Sequence, residues 1–141
     1  MREMSDEERR AFLLEGTRTG KLAVTRRDGS PYVLPVWFLL DGDDVIFTTG
    51  ADTVRGRALR RDGRASMLVD EERPPYSFVR IDGHAEVSED LGEMRRWGRA
   101  LGARYMGEEV ADRFADRNAV TGELLVRLVP DRISAQADIS G

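Results

Sequence analysis

Residues 21–49 read KLAVTRRDGSPYVLPVWFLLDGDDVIFTT, three strand-like runs separated by two turn signals. The first run is Lys21 to Arg27, rich in apolar and β-branched side chains. Asp28-Gly29 follows, a pair that readily takes up the backbone of a tight hairpin turn. The second run, Tyr32 to Leu40, is long and apolar, and Pro35 interrupts it. Proline has no N–H to give a sheet ladder, so this position is an edge, a bulge or a bend. Asp41-Gly42-Asp43-Asp44 makes another turn, and Val45-Ile46-Phe47-Thr48-Thr49 makes the third strand. Three short-linked strands in a row predict an antiparallel sheet or barrel.

The rest of the chain builds around this meander. Ser5-Asp6-Glu7-Glu8 is a capping box, and Ala11, Phe12, Leu13 and Leu14 follow it, so residues 6–15 read as a short amphipathic helix ended by Gly16. Residues 52–61 change period. Asp52 is placed to cap a helix whose apolar members are Val54, Ala58 and Leu59, and Asp62-Gly63 ends it. Arg64 to Val69 is a fourth strand. The loop 71–75 carries the stiff pair Pro74-Pro75. Tyr76 to Ile81 is a fifth strand, which Asp82-Gly83 turns or bulges before His84 to Val87 continues it. Ser88 is expected to cap a helix over 90–106, and a second helix over 108–117 ends near Asn118. Leu124 to Val129 is a sixth strand, and Arg132 to Ala135 a last short one. The expected fold class is mainly β (α+β), a mostly antiparallel barrel of about six to seven strands with peripheral helices.

The chain's 141 residues are the size of one domain, residues 1–141. With 40% hydrophobic and 34% charged residues it reads as globular, and no apolar stretch approaches a membrane span. The N-terminus is polar and acidic with no apolar h-region, so a cytoplasmic location is expected. The absence of cysteine removes disulfides, thiolate metal sites and thiol nucleophiles. His84 is the only histidine, so no histidine-built metal site is available and no Gly-x-Ser-x-Gly elbow accompanies it. No metal ligand or catalytic side chain is assigned. Any enzyme chemistry would rest with a bound cofactor. The net charge of −4 comes from the C-terminal half, whereas residues 52–64 hold five arginines against two aspartates. An acidic chain with one basic island points to a small anion rather than to nucleic acid.

Three segments carry the candidate chemistry. In residues 48–59 a strand ends in Thr48-Thr49-Gly50 and opens a helix through Thr53, Arg55 and Arg57. Helix N-termini present unpaired N–H groups and favour anions, while cations there are normally disfavoured. Two arginines at that end fit a bound phosphate or carboxylate, or else an ordinary solvated helix. In Leu34-Pro35-Val36-Trp37-Phe38, a proline-kinked strand beside Trp37 either holds a planar heterocycle or simply contributes to the core. Pro74-Pro75-Tyr76-Ser77-Phe78 is a rigid loop running into an aromatic strand, for which plain packing is the simpler reading. Met94, Trp97, Leu101 and Tyr105 recur at helical spacing and read as core. Gly98 and Gly102 lower the propensity of the same helix and suit close backbone packing.

The order of four segments resembles a known family: residues 20–31, Pro-Val-Trp-Phe at 35–38, Phe-Thr-Thr-Gly through Arg-Gly-Arg-Ala-Leu-Arg-Arg-Asp-Gly-Arg-Ala at 47–65, and Gly-His-Ala-Glu-Val at 83–87. Together they resemble the pyridoxamine-phosphate-oxidase-like split β-barrel proteins, and within them the actinobacterial flavin/deazaflavin oxidoreductases of the B type, which use coenzyme F420. The resemblance covers about residues 8–136. It implies a split β-barrel and a homodimer with two cofactor sites at the subunit interface. It also implies that Thr48, Thr49, Thr53, Arg55 and Arg57 contact the cofactor phosphate. Pro35, Val36 and Trp37 would lie along the deazaflavin ring, and Tyr76, Ser77 and Phe78 would approach from the other subunit. Arg55 stands where family members often carry Lys, and Ala58 where they often carry Asn.

The implied activity is hydride transfer from reduced F420 to a conjugated, electron-poor small molecule of quinone, enone or tetrapyrrole type. Alternatives are an FMN-dependent oxidoreductase of the same fold and a non-catalytic carrier of a deazaflavin or another small molecule. No nucleic-acid or membrane partner is expected.

Overall fold

The structure is a computed structural model that describes residues 1–141. In chain order its elements are β1 (Arg2–Glu3), α1 (Asp6–Leu14), β2 (Gly20–Thr25), β3 (Pro31–Val36), β4 (Leu39–Asp41), β5 (Asp44–Gly50) and α2 (Val54–Arg61). β6 (Arg64–Glu71), β7 (Ser77–Ser88), α3 (Leu91–Met106), a 3₁₀ turn (Glu108–Val110), α4 (Ala111–Asn118) and β8 (Glu123–Ala137) complete it. One antiparallel sheet runs β3-β2-β6-β7-β8-β5-β4, with β1 added to the far half of β8. The expected split barrel and its α+β class are therefore found.

The two edge strands, β3 and β4, are consecutive in sequence. The run Tyr32 to Leu40 breaks at Trp37-Phe38 rather than at Pro35, and its halves belong to opposite edges of the sheet. Pro35 stays inside β3 opposite Lys21, which an edge strand tolerates because its outer side has no ladder to lose. Phe38, at the crossing, is fully buried.

The core fills the barrel by alternation along β2, β6 and the first half of β7, while β5 and the start of β8 are buried on both faces, the second face under Met94 of α3. Leu22 and Val24 of β2 and Ala65, Met67 and Val69 of β6 point inward, and Phe47, Val79, Ile81, Val126 and Leu128 meet them. Three local expectations change. Thr53 rather than Asp52 caps α2, its Oγ1 accepting from Gly56 N at 3.0 Å. Asp90 rather than Ser88 caps α3, because β7 runs on through Ser88. Asp82-Gly83 is the bulge of the two readings offered, a register shift within one continuous strand. The two C-terminal strands are one continuous β8, since backbone pairing to β7 persists through Pro130 and Arg132. The capping box at Ser5 and Glu8 forms as read.

The broken peptides at the crossing need partners that the sheet no longer supplies. The C-terminal end of α3 supplies them. Tyr105 Oη accepts from Phe38 N at 3.2 Å and donates to Arg18 O at 2.8 Å. Arg104 donates to Phe38 O at 2.6 Å, Leu13 O at 2.8 Å and Gly16 O at 3.0 Å, so it also serves the open carbonyls at the end of α1. Burial holds the Arg104 guanidinium below its ordinary proton affinity and pushes the Tyr105 phenol up, keeping that phenol neutral. Trp37 stacks on Tyr105 with ring centroids 5.1 Å apart and an interplanar angle of 3°.

Arg104→Met should lower stability by about 2–4 kcal/mol and Tyr105→Phe by about 1–2 kcal/mol, because each strands buried backbone groups. Urea denaturation followed by circular dichroism measures both, with the larger loss expected for Arg104.

Candidate functional site

A cavity of about 330 Å³ lies between the strand break and the α3–α4 hairpin. Pro35, Val36 and Trp37 form its apolar wall. Thr48, Thr49 and Gly50 from the end of β5, and Arg55 from α2, form a polar one. Leu101 of α3, Phe114 of α4 and the helix backbone at Gly98 and Gly102 close it, and Arg117, Asn118 and Glu123 complete the polar side. The segment 48–59 and the segment 34–38, separate in sequence, thus meet in one place.

The polar wall depends on one close approach. A Cβ at Gly56 would lie 2.1 Å from the Gly50 carbonyl oxygen, so glycine lets the first turn of α2 press against the end of β5. The threonines there are largely committed to this joint. Thr53 Oγ1 donates to Gly50 O at 2.8 Å besides capping the helix, and Thr49 Oγ1, on a residue only 3% exposed, lies 3.3 Å from it. Thr48 Oγ1 donates to Asn118 Oδ1 at 3.2 Å, and Asn118 Nδ2 donates to Phe114 O at 2.8 Å, which ties β5 to α4.

Arg55 is different. Its Nε is buried within the structure and has no hydrogen-bond partner. A buried donor without an acceptor is costly, and an incoming anion would relieve that cost. Arg117 sits on the same cavity, against the Phe114 ring. Glu123 faces both arginines. Burial raises its carboxyl above the usual carboxylate range, while the positive charges of Arg55 and Arg117 oppose that rise.

The other expected site residues lie elsewhere. Arg57 Nη1 donates to Asp52 O at 2.5 Å and borders a separate surface recess with Arg26, Arg27 and Arg61. Two positions along a helix differ by about 200° of rotation, so one turn of α2 sends the two arginines to different places. Tyr76, Ser77 and Phe78 border a third recess with Leu68, Arg80 and Ile139. Within the chain they are remote from the cavity: Phe78 pairs with Gln136 near the end of β8, whereas Gly50 pairs with Glu123 at its start. His84 is exposed, with Nδ1 3.1 Å from Asp131 Oδ1, and belongs to none of these walls.

Sequence reading missed Arg117, Asn118 and Glu123, which follow Arg55 by more than sixty residues and carry no local motif. It assigned Leu101 to the core, and Leu101 is both buried and cavity-lining. Gly98 and Gly102 were the available signal. Their four-residue spacing puts both on one helix face, where a Cβ at Gly102 would meet Phe114 Cβ at 2.7 Å.

The family model described as pyridoxamine 5'-phosphate oxidase matches residues 5–137. The chain belongs to this family. Its barrel is also similar to solved structures. A conserved hypothetical protein from Mycobacterium tuberculosis is 26% identical with a TM-score of 0.85, over 97% of this chain and 87% of that one. A protein described as an F420 reductase is 27% identical with a TM-score of 0.69, over 88% of this chain and 94% of that one. An FAD-binding protein from Mesorhizobium loti, at 21% identity and a TM-score of 0.69 over 95% and 93% of the two chains, shares the fold. No curated protein matches the sequence. Within this family an oxidoreductase of flavin or deazaflavin type is a plausible activity.

Glu123→Gln gives a pH test of the cavity. A carboxyl whose proton affinity is raised by folding costs stability once pH passes its unfolded value, near 4.5, and costs nothing below it. The variant should melt at the same temperature as the parent at pH 4 and at a higher one at pH 7, as read by scanning calorimetry.

Proposed function

We propose that the protein is a homodimeric reductase that uses reduced coenzyme F420 to reduce conjugated, electron-poor small molecules of quinone, enone or tetrapyrrole type. The observation that carries this reading is the cavity's pairing of an apolar wall at Pro35, Val36 and Trp37 with the unpartnered, buried Nε of Arg55. A phosphate-bearing tricyclic cofactor asks for both. The 27% identity with a protein described as an F420 reductase favours the deazaflavin among such cofactors.

Arg55 and Arg117 would hold the phosphate, with Thr48 and Thr49 on the adjoining wall. Pro35, Val36 and Trp37 would border the ring. When bound, the reduced deazaflavin supplies a hydride. The chain's own part is to align the two reactants and keep water away. Tyr105, the phenol nearest Trp37, is not a free acid, since its proton is given to the Arg18 carbonyl. The proton that completes the reduction is therefore assigned to solvent.

The cavity is small for a tricycle with its tail, at the low end of ligand-pocket volumes. The rest of the cofactor would lie outside the protomer, where a second copy would cover it. The exposed Val33 (67%), Leu68 and Tyr76 give the barrel an apolar outer face suited to that contact, and Tyr76, Ser77 and Phe78 would reach the partner's cofactor from it.

FMN, which also brings a phosphate and a tricyclic ring, is the second reading. A non-catalytic carrier is the third, marked by binding without turnover.

Fluorescence titration with oxidised F420 beside FMN decides among them. Tight binding of F420 is expected, weakened about 10–100-fold by Arg55→Ala through loss of a charged hydrogen bond. Arg57→Ala should change it less than about threefold, as befits an exposed charge. Preference for FMN, or unchanged affinity in Arg55→Ala, would overturn the assignment. Sedimentation should show a dimer.

A further inference from the structure

Glu123 opens β8 on the wall that also carries Arg55 and Arg117. Both guanidiniums act on its carboxylate through space, and it is hydrogen-bonded to neither. No other charged group faces it across the cavity. α2 contributes Arg55 and α4 contributes Arg117 beside the neutral Asn118. β5 brings Thr48 and Thr49, and α3 brings only glycines and Leu101.

A site built for the greatest possible anionic charge would leave both arginines uncompensated. Here one carboxylate offsets one of them, so the cavity carries a single net positive charge. Phosphate groups come in two charge classes. An internal phosphodiester holds one negative charge at neutral pH. A terminal phosphomonoester loses its second proton near pH 6 and approaches two. Repulsion from Glu123 grows with each unit of ligand charge, and in a partly buried site it is only weakly screened.

We infer that Glu123 is a specificity-determining residue that penalises a doubly charged phosphomonoester in the Arg55–Arg117 cavity more than a singly charged phosphodiester. This rests on the proposed cofactor site and names the phosphate class that the site takes. It separates the two cofactor readings by chemistry, because F420 carries an internal diester and FMN a terminal monoester.

The test uses sulfate and methanesulfonate, a dianion and a monoanion that do not titrate between pH 6 and 8. Their binding is followed by the ¹⁵N shifts of the arginine Nε–H groups, with Arg55→Ala and Arg117→Ala assigning the signals. Glu123→Gln should tighten sulfate about tenfold and methanesulfonate about threefold, since removing one charge acts twice on a dianion. Glu123→Asp, which keeps the charge, should retain the parent's ratio. Equal effects of Glu123→Gln on both anions, weaker binding of both, or a changed ratio in Glu123→Asp would overturn the inference. In cofactor titrations the Glu123→Gln preference should move toward FMN by about threefold. Charge discrimination between the simple anions in a protein that binds neither cofactor would uphold the role of Glu123 and remove the cofactor reading. Cofactor binding without such discrimination would do the reverse.

Discussion

The constraint on which this molecule turns is the peptide of Phe38. A sheet whose two edge strands are neighbours in sequence must send its chain across the gap between them, and the crossing backbone leaves the ladder. Buried N–H and C=O groups without partners would undo the barrel. Tyr105 and Arg104 take up both groups of Phe38, and Arg104 reaches in the same grip to Leu13 and Gly16 at the end of α1. One turn of α3 thus fastens the barrel seam and the first helix together. Both half-buried side chains are spent on structure, their donors given to backbone carbonyls.

The cavity follows from that seam. Once the chain turns away after Val36, Trp37 is left at the rim, supported on one side by the Tyr105 ring. The helix that satisfies the crossing also brings Gly98 and Gly102 over the gap, and the absence of side chains there lets α4 approach closely enough to present Arg117 and Asn118. The polar wall has a separate origin in the joint between Gly50 and Gly56. Arg55 is positioned by this backbone contact rather than by its own hydrogen bonds, so its guanidinium stays available for a ligand.

Much of the fold was legible because its signals are local. Asp28-Gly29 and the Asp41–Asp44 turn mark hairpins by their own chemistry, and Ser5 with Glu8 forms a cap within four residues. The errors fall where tertiary pairing decides. Pro35 marks an edge strand, one of the three readings its chemistry allows, but the place where the run divides is set by barrel closure two residues later. Asp52 and Thr53 are both competent caps, and only the Gly50 carbonyl beside Thr53 Oγ1 chooses between them. The site was legible on one side only. Thr48 to Arg55 announces itself as a strand-to-helix anion motif, whereas Arg117 and Glu123 look like ordinary surface charges until α4 and β8 fold over it. Arg57 shows the converse, since adjacency in sequence put it with Arg55 and the helical turn sent it away.

The unbroken course of β8 has an evolutionary corollary. Thirteen residue steps join the cavity at Glu123 to the Tyr76–Phe78 recess near Gln136, a contour of about 43 Å at 3.3 Å per residue. Because side chains alternate faces on either side of the bulge at Asp131, inserting or deleting one residue within either paired stretch would invert every position beyond it and separate the two ends by a half-repeat. Length change in this lineage should therefore collect in the Arg26–Ser30 hairpin and in the loop before β7. β8 itself should drift only by substitution.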